Sequence, residues 1–221
     1  MPTLEENIEN YLLDFQKNVP KETQDVLNNA IEKLKESKKL SKALKVGDKI
    51  PEFSLSNHDR KIINIKDIVE KNKYTVLNFF DGSWSPYSNL QLMALQKVAS
   101  QLKILNAALI TLSPQTQDKS LYLFEKHSLN FDILYDKNNT IAKEFGIVYT
   151  LSDEVISTYD KLKVDILEAN RNGTFDLPSP ATYIVNKNYE IIYAFVDENY
   201  RKRCEPKTII DVIKKDMINK R

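Results

Sequence analysis

The stretch Tyr74-Thr75-Val76-Leu77-Asn78-Phe79-Phe80-Asp81-Gly82-Ser83-Trp84-Ser85-Pro86-Tyr87-Ser88-Asn89-Leu90-Gln91-Leu92 decides how the chain folds. Its first seven residues form a near-continuous apolar run of β-formers, which suits a strand buried on both faces. Pro86 then opens a helix at a position where the missing N–H costs no hydrogen bond. Leu92, Leu95, Val98 and Leu102 recur on one stripe of that helix and are expected to face the sheet. The product is a central strand, a tight turn and a proline-started helix.

Further strands are expected at 107–112 and 131–134, separated by a helix over 117–127 that carries Leu121 and Phe124. Segments 182–185 and 191–196, joined by Asn186-Lys187-Asn188, read as an antiparallel hairpin. A last helix starts at Pro206 and places Ile209, Ile210, Ile213 and Met217 on one stripe. Residues 152–170 form a helical insertion with Leu151, Val155, Tyr159, Leu162 and Ile166 roughly in phase. Alternating strands and helices from residue 45 onward predict an α/β layer architecture.

Ahead of it the pattern is purely helical. Leu4, Ile8, Tyr11, Leu12 and Phe15 share a face, and Thr3 with Glu6 makes a capping box. After Pro20, a second amphipathic run carries Val26, Leu27, Ala30, Ile31 and Leu34. The chain therefore divides into a helical hairpin, 1–44, and an α/β domain, 45–221. The hairpin's apolar stripe can lie across the main domain or across a second subunit.

Composition excludes several function classes. Lys plus Arg (32) nearly cancel Asp plus Glu (31), so neither nucleic acid nor an acidic membrane is an expected partner. Four glycines, none within phosphate-loop spacing of another, remove the dinucleotide and Walker fingerprints. One cysteine, Cys204, and two histidines, His58 and His127, leave neither an internal disulfide nor a Cys/His zinc site. His58 falls in an expected loop, and His127 ends a helix where a protonated ring would complement the dipole. The first residues lack a basic region followed by an apolar one, and no apolar run is long enough to span a bilayer, so a soluble cytoplasmic protein is expected.

A turn between a strand and a proline-started helix is where thioredoxin-like folds hold a Cys-x-x-Cys, because the helix N-terminus stabilises a thiolate. The stretch 82–90 resembles the Gly-x-Trp-Cys-Pro-Tyr-Cys-Asn-Leu signature of a peroxiredoxin-like branch of the alkyl hydroperoxide reductase/thiol-specific antioxidant (AhpC/TSA) family, with serine at both cysteine positions. The resemblance extends through Lys45-Val46-Gly47-Asp48, Pro51-Glu52-Phe53, Ser113-Pro114-Gln115-Thr116, Pro178-Ser179-Pro180-Ala181-Thr182-Tyr183, Phe195-Val196-Asp197 and Tyr200, Arg203, Glu205 and Pro206. It implies a thioredoxin-like α/β fold, a central mixed sheet flanked by helices, behind the N-terminal hairpin. It further implies a parent activity of reducing hydrogen peroxide or alkyl hydroperoxides with thioredoxin, glutaredoxin or glutathione as donor. Such chemistry requires no cofactor, neither metal, haem nor flavin, and the family resemblance makes a homodimer possible.

In that scheme Ser85 stands at the peroxidatic cysteine and Ser88 at the resolving one. A thiol of ordinary pKa about 8.5 can be ionised near neutrality by a helix dipole and a cation, whereas an alcohol cannot, nor can it form a sulfenic acid. The chain as written is therefore expected to lack peroxidase activity. Two origins are compatible with the serines: deliberate replacement of cysteines, and natural loss. Asp81, where relatives carry arginine, would oppose a thiolate and favours natural loss.

The same resemblance makes Arg203 a candidate to stabilise the peroxide-bound state, against a plain surface arginine. Trp84, Pro86 and Tyr87 either shape a pocket or pack beside the strand end, and Pro180 is expected to be cis and to face the redox loop. Cys204, within a basic run, is either a reactive single thiol or an inert free cysteine. A serine-hydrolase elbow at Ser85 fails because Tyr87 stands where that turn needs glycine. Two alternatives to a silenced peroxidase thus remain open: a redox-inactive binding protein, and a single-thiol protein using Cys204.

Overall fold

A computed structural model describes residues 2–219. Two helices come first, α1 (Leu4–Asn18) and α2 (Lys21–Ser37), and the Thr3/Glu6 capping box at the start of α1 is present in both directions. A hairpin β1 (Ser54–Ser56) and β2 (Ile62–Asn64) precedes α3 (Ile65–Lys71). The core elements follow as β3 (Tyr74–Phe79), α4 (Pro86–Ile104), β4 (Ala107–Ser113), α5 (Gln117–Lys126) and β5 (Asp132–Tyr135). Then come α6 (Thr140–Glu144), β6 (Val148–Thr150), α7 (Asp153–Lys161), α8 (Ile166–Asn170) and β7 (Asp176–Pro178). The hairpin β8 (Ala181–Asn186) and β9 (Ile191–Val196) leads to α9 (Pro206–Asn219).

Five strands make one mixed sheet in the order β5-β4-β3-β8-β9. β3 runs parallel to β4 and antiparallel to β8, with Phe79 opposite both Leu112 and Ala181. All five are the strands expected from the sequence. Every residue of β3 is buried, as a central strand requires. Its side chains alternate between two cores. Tyr74 and Val76 join Leu92, Leu95 and Leu102 of α4 and Ile209 and Ile213 of α9. Leu77 and Phe79 join Ile65 and Val69 of α3 and Ile141 and Phe145 on the other face. Each such burial contributes about 1.5–3 kcal/mol, so helices on both faces are what make the sheet stable.

Several details differ from expectation. In α5 the fully buried apolar residue is Leu123, while Phe124 stacks on the His58 ring at 3.9 Å; His58 lies in the turn between β1 and β2, as expected, but is buried there as a packing residue. The short elements β1, β2, α3, α6, β6 and β7 lacked a readable period. Pro180 is trans, since no peptide bond among the described residues is cis. Ser179 explains this: its N–H donates to Ile147 O at 2.7 Å and its hydroxyl to Asp197 O at 2.9 Å, which holds the chain extended from β7 directly into β8.

The N-terminal hairpin lies across its own domain. Leu4 and Ile8 of α1 pack with Tyr87 on α4, and Leu27 of α2 packs with Leu151, Val155 and Leu177. The first turn of α1 is further held by Glu205, whose carboxylate accepts the N–H groups of Leu4 at 3.3 Å and Glu5 at 2.6 Å. Orphan donors at a helix start are thereby satisfied from the far end of the chain.

Candidate functional site at the start of helix α4

β3 ends at the sheet's centre and delivers Asp81, Gly82 and Ser83 into the turn before α4. Gly82 has φ +150°, and a Cβ there would collide with the Trp84 indole, which lies across it. Glycine is thus required for Trp84 to fold back over the turn. Ser83 is pinned by its N–H to Gln115 Oε1 at 2.7 Å, and Asn89 Nδ2 donates to the carbonyls of Ser83 and Ser85 at 2.7 and 2.8 Å.

Ser85 is the N-cap of α4, its hydroxyl accepting the Ser88 N–H at 3.4 Å, and Pro86 occupies the first turn as expected. Both serines are inaccessible or nearly so, Ser85 at 1% and Ser88 at 0% exposure. The Ser88 hydroxyl donates to Asp81 Oδ1 at 2.5 Å and accepts from Arg203 Nη2 at 3.4 Å. Asp81 and Arg203 are themselves buried, at 2% and 8% exposure. A carboxylate and a guanidinium are therefore bridged by one hydroxyl inside the protein.

Burial dominates the titration of this pair. It pushes the Asp81 carboxyl up against the opposing effects of Arg203 and the serine hydrogen bonds, and pushes the Arg203 guanidinium down against Asp81. Each charge is worth keeping only because the other is there.

Above this polar set lies a cavity of about 340 Å³. Its walls are Trp84, Tyr87, Tyr159 and Tyr200, with Ser85 and Pro86 at its base and Tyr11 and Phe15 of α1 as its roof. The rings brace one another: Trp84 meets Tyr159 edge-on at 5.3 Å, and Tyr87 meets Tyr11 and Tyr200 at 5.3 and 5.8 Å. Burial raises the phenol pKa of all four tyrosines, so these side chains stay uncharged at neutral pH.

Of the residues singled out from sequence, Ser85, Ser88, Trp84, Pro86, Tyr87 and Arg203 converge on this spot. Pro180 does not line the cavity; it is buried at the start of β8. Cys204 is also elsewhere, 1% exposed, with its sulfur 3.7 Å from Tyr193 Oη, and burial pushes its thiol up to about 11. His127 has its pKa lowered by burial and contacts Asn89 Oδ1 through Nε2 at 3.1 Å, so it is a neutral hydrogen-bonding ring and not a cation serving the helix dipole. Sequence reasoning missed Tyr11, Phe15 and Tyr159 as wall residues, because each also fits an ordinary helical stripe.

Among the described residues no helix is long and apolar enough to cross a membrane. Residues 46–194 match the AhpC/TSA family model. The putative peroxiredoxin bcp of Haemophilus influenzae is 28% identical over 131 residues, covering 59% of this chain and 83% of that protein. Peroxiredoxin Bcp of Escherichia coli is 27% identical over 104 residues, covering 47% of this chain and 65% of that protein. Among solved structures, peroxidoxin BcpB of Mycobacterium tuberculosis superposes with a TM-score of 0.61 at 13% identity, over 78% of this chain and 97% of the other. A cysteine-to-serine mutant of Xylella fastidiosa PrxQ superposes at 0.62 with 13% identity, over 79% and 98%. With the AhpC/TSA family model matching two thirds of its length and the thioredoxin-like architecture around the β3–α4 turn, the chain belongs to the AhpC/TSA family of peroxiredoxins.

Proposed function

We propose that this chain is a peroxiredoxin-fold protein without thiol peroxidase activity, which keeps the former reaction centre as a recognition site. The reading is carried by the hydroxyl of Ser85 at the head of α4, next to the buried Asp81 carboxyl. An alcohol there neither ionises at neutral pH nor accepts oxygen from a peroxide to give a sulfenic acid. In the parent reaction, inferred from the family, a peroxidatic thiol at 85 would attack peroxide, a resolving thiol at 88 would follow, and Arg203 would steady the bound oxygens. A thioredoxin-type donor would restore the dithiol. Here Ser85 caps the helix, and Ser88 bridges Asp81 to Arg203.

We take the serines as natural replacements of the family's cysteines. Support comes from Asp81, whose carboxyl accepts the Ser88 hydroxyl while that hydroxyl accepts from Arg203 Nη2, a chain of contacts that a bare Cys→Ser exchange would not arrange. The division into hairpin 1–44 and domain 45–221 also acquires a role, with the hairpin as roof. Because its apolar stripe is used within the chain, a homodimer would have to form through another face. A single-thiol mechanism at Cys204 is disfavoured by the burial and raised pKa of that sulfur. We place the protein in the cytoplasm by analogy with its bacterial relatives.

The test is peroxide consumption with a dithiol reductant, comparing the chain as written with its Ser85→Cys/Ser88→Cys form. No turnover by the unaltered chain is expected. Sustained turnover by it would overturn the reading, and loss of that turnover on removal of Cys204 would assign it to that thiol.

A further inference from the structure

The hairpin-roofed cavity has a chemistry of its own. We propose that it binds an uncharged, mostly apolar small molecule of one or two fused rings that carries a single hydroxyl or carbonyl.

Size sets the first bound. An apolar cavity of about 150 Å³ accepts benzene, and small-molecule pockets begin near 300 Å³. At about 340 Å³ the space suits a two-ring molecule and is too small for a nucleotide or a cofactor with a long tail.

Charge sets the second. No Asp, Glu, Lys, Arg or His lines the cavity. A cation could in principle sit among so many ring faces. It would find no carboxylate, and Arg201 already lies over the Tyr200 ring at 5.4 Å. An anion would find no basic wall residue, and the helix end beneath it is already capped by Ser85. What the walls do offer is ring surface from α1, α4 and α7, aliphatic filling from Leu27, Leu162 and Val164, and a few hydroxyls for one polar atom.

Tyr11 and Phe15, which roof the cavity, lie outside the span 46–194 that matches the family model, so the cavity is built partly from residues beyond that span. Binding there does not depend on the loss of peroxidase activity: binding to the unaltered chain and turnover by it are separate measurements, and either can fail alone.

The probe is 2-naphthol, titrated calorimetrically against the full chain beside naphthalene-2-sulfonate and 2-naphthyltrimethylammonium. The expected result is saturable one-to-one binding of the naphthol, with both charged analogues at least tenfold weaker. Leu162→Trp, which fills the cavity, should weaken naphthol binding at least tenfold. If that variant does not fold, the wild-type complex decides: nuclear Overhauser contacts from naphthol to the rings of Tyr11 and Tyr159 support the assignment, and their absence from a bound complex overturns it. Absent saturable binding, tighter binding of either charged analogue, or undiminished binding by a folded Leu162→Trp protein also overturns it.

Discussion

Ser88 Oγ donates to Asp81 Oδ1 at 2.5 Å and itself accepts from Arg203 Nη2 at 3.4 Å, so one hydroxyl mediates between two buried charges. Ser88 is thus the middle of a structural relay.

Removing the cation should be costly. In Arg203→Met the Asp81 carboxyl loses the strongest influence holding its pKa down, and breaking a buried pair on one side typically costs about 3–5 kcal/mol. Urea unfolding at pH 7 should show a loss of that order, partly recovered as the pH is lowered and the carboxyl takes up its proton. An unchanged midpoint would mean that the pair is not coupled.

Asp81 also sets a pH dependence. Its folded pKa lies above the ordinary value of about 3.9, so its contribution to stability is complete below that value and is lost as pH rises through the folded pKa. Asp81→Asn should remove this decline, but because it leaves the buried Arg203 guanidinium without its carboxylate, the variant should be less stable than wild type at neutral pH. Unfolding midpoints across pH 4 to 8 for both proteins would reveal parallel curves if the carboxyl is not responsible.

Restoring sulfur alone should not restore a reactive thiolate. In Ser85→Cys/Ser88→Cys the thiol at position 85 would face the Asp81 carboxyl and should titrate above about 8.5, by ultraviolet thiolate absorbance. Adding Asp81→Arg should bring it below that value and raise peroxide turnover. A low thiol pKa in the double variant would show that the helix end and Arg203 suffice.

Gly82→Ala should destabilise by about 1–3 kcal/mol, because the position has a positive φ and the new methyl displaces Trp84. Trp84 is the only tryptophan in the chain, so its emission reports the displacement directly. A variant with native emission and native stability would contradict the close packing of indole on the turn.

Cys204 should resist alkylation. With its thiol pushed up to about 11 and its side chain buried, maleimide labelling of the native protein should be slow and should become fast in urea. Rapid native labelling would reopen a redox role for this sulfur.

The five strands of the central sheet and the long helices were legible because their apolar periods are strong, and α4 most of all because Pro86 marks its start. The short pairs β1–β2 and β6–β7 were not, since three-residue strands carry no period and are held by register alone. At the site, Arg203 emerged only through resemblance, because nothing local distinguishes a buried arginine in Arg201-Lys202-Arg203 from its solvated neighbours. The trans state of Pro180 was hidden for a similar reason: it follows from Ser179's contacts with Ile147 and Asp197, which are distant in sequence. Likewise, Tyr11 and Tyr159 become neighbours of Ser85 only when two separate helical segments fold over one turn.

Glu205 clasps the first turn of α1 and stands two residues from Arg203. One short stretch of chain therefore anchors both the lid of the cavity and the charge beneath its floor. Residues 203–205 thus tie the first turn of α1 to the hydroxyl of Ser88, and the roof of the cavity and the polar set under its floor share one anchor.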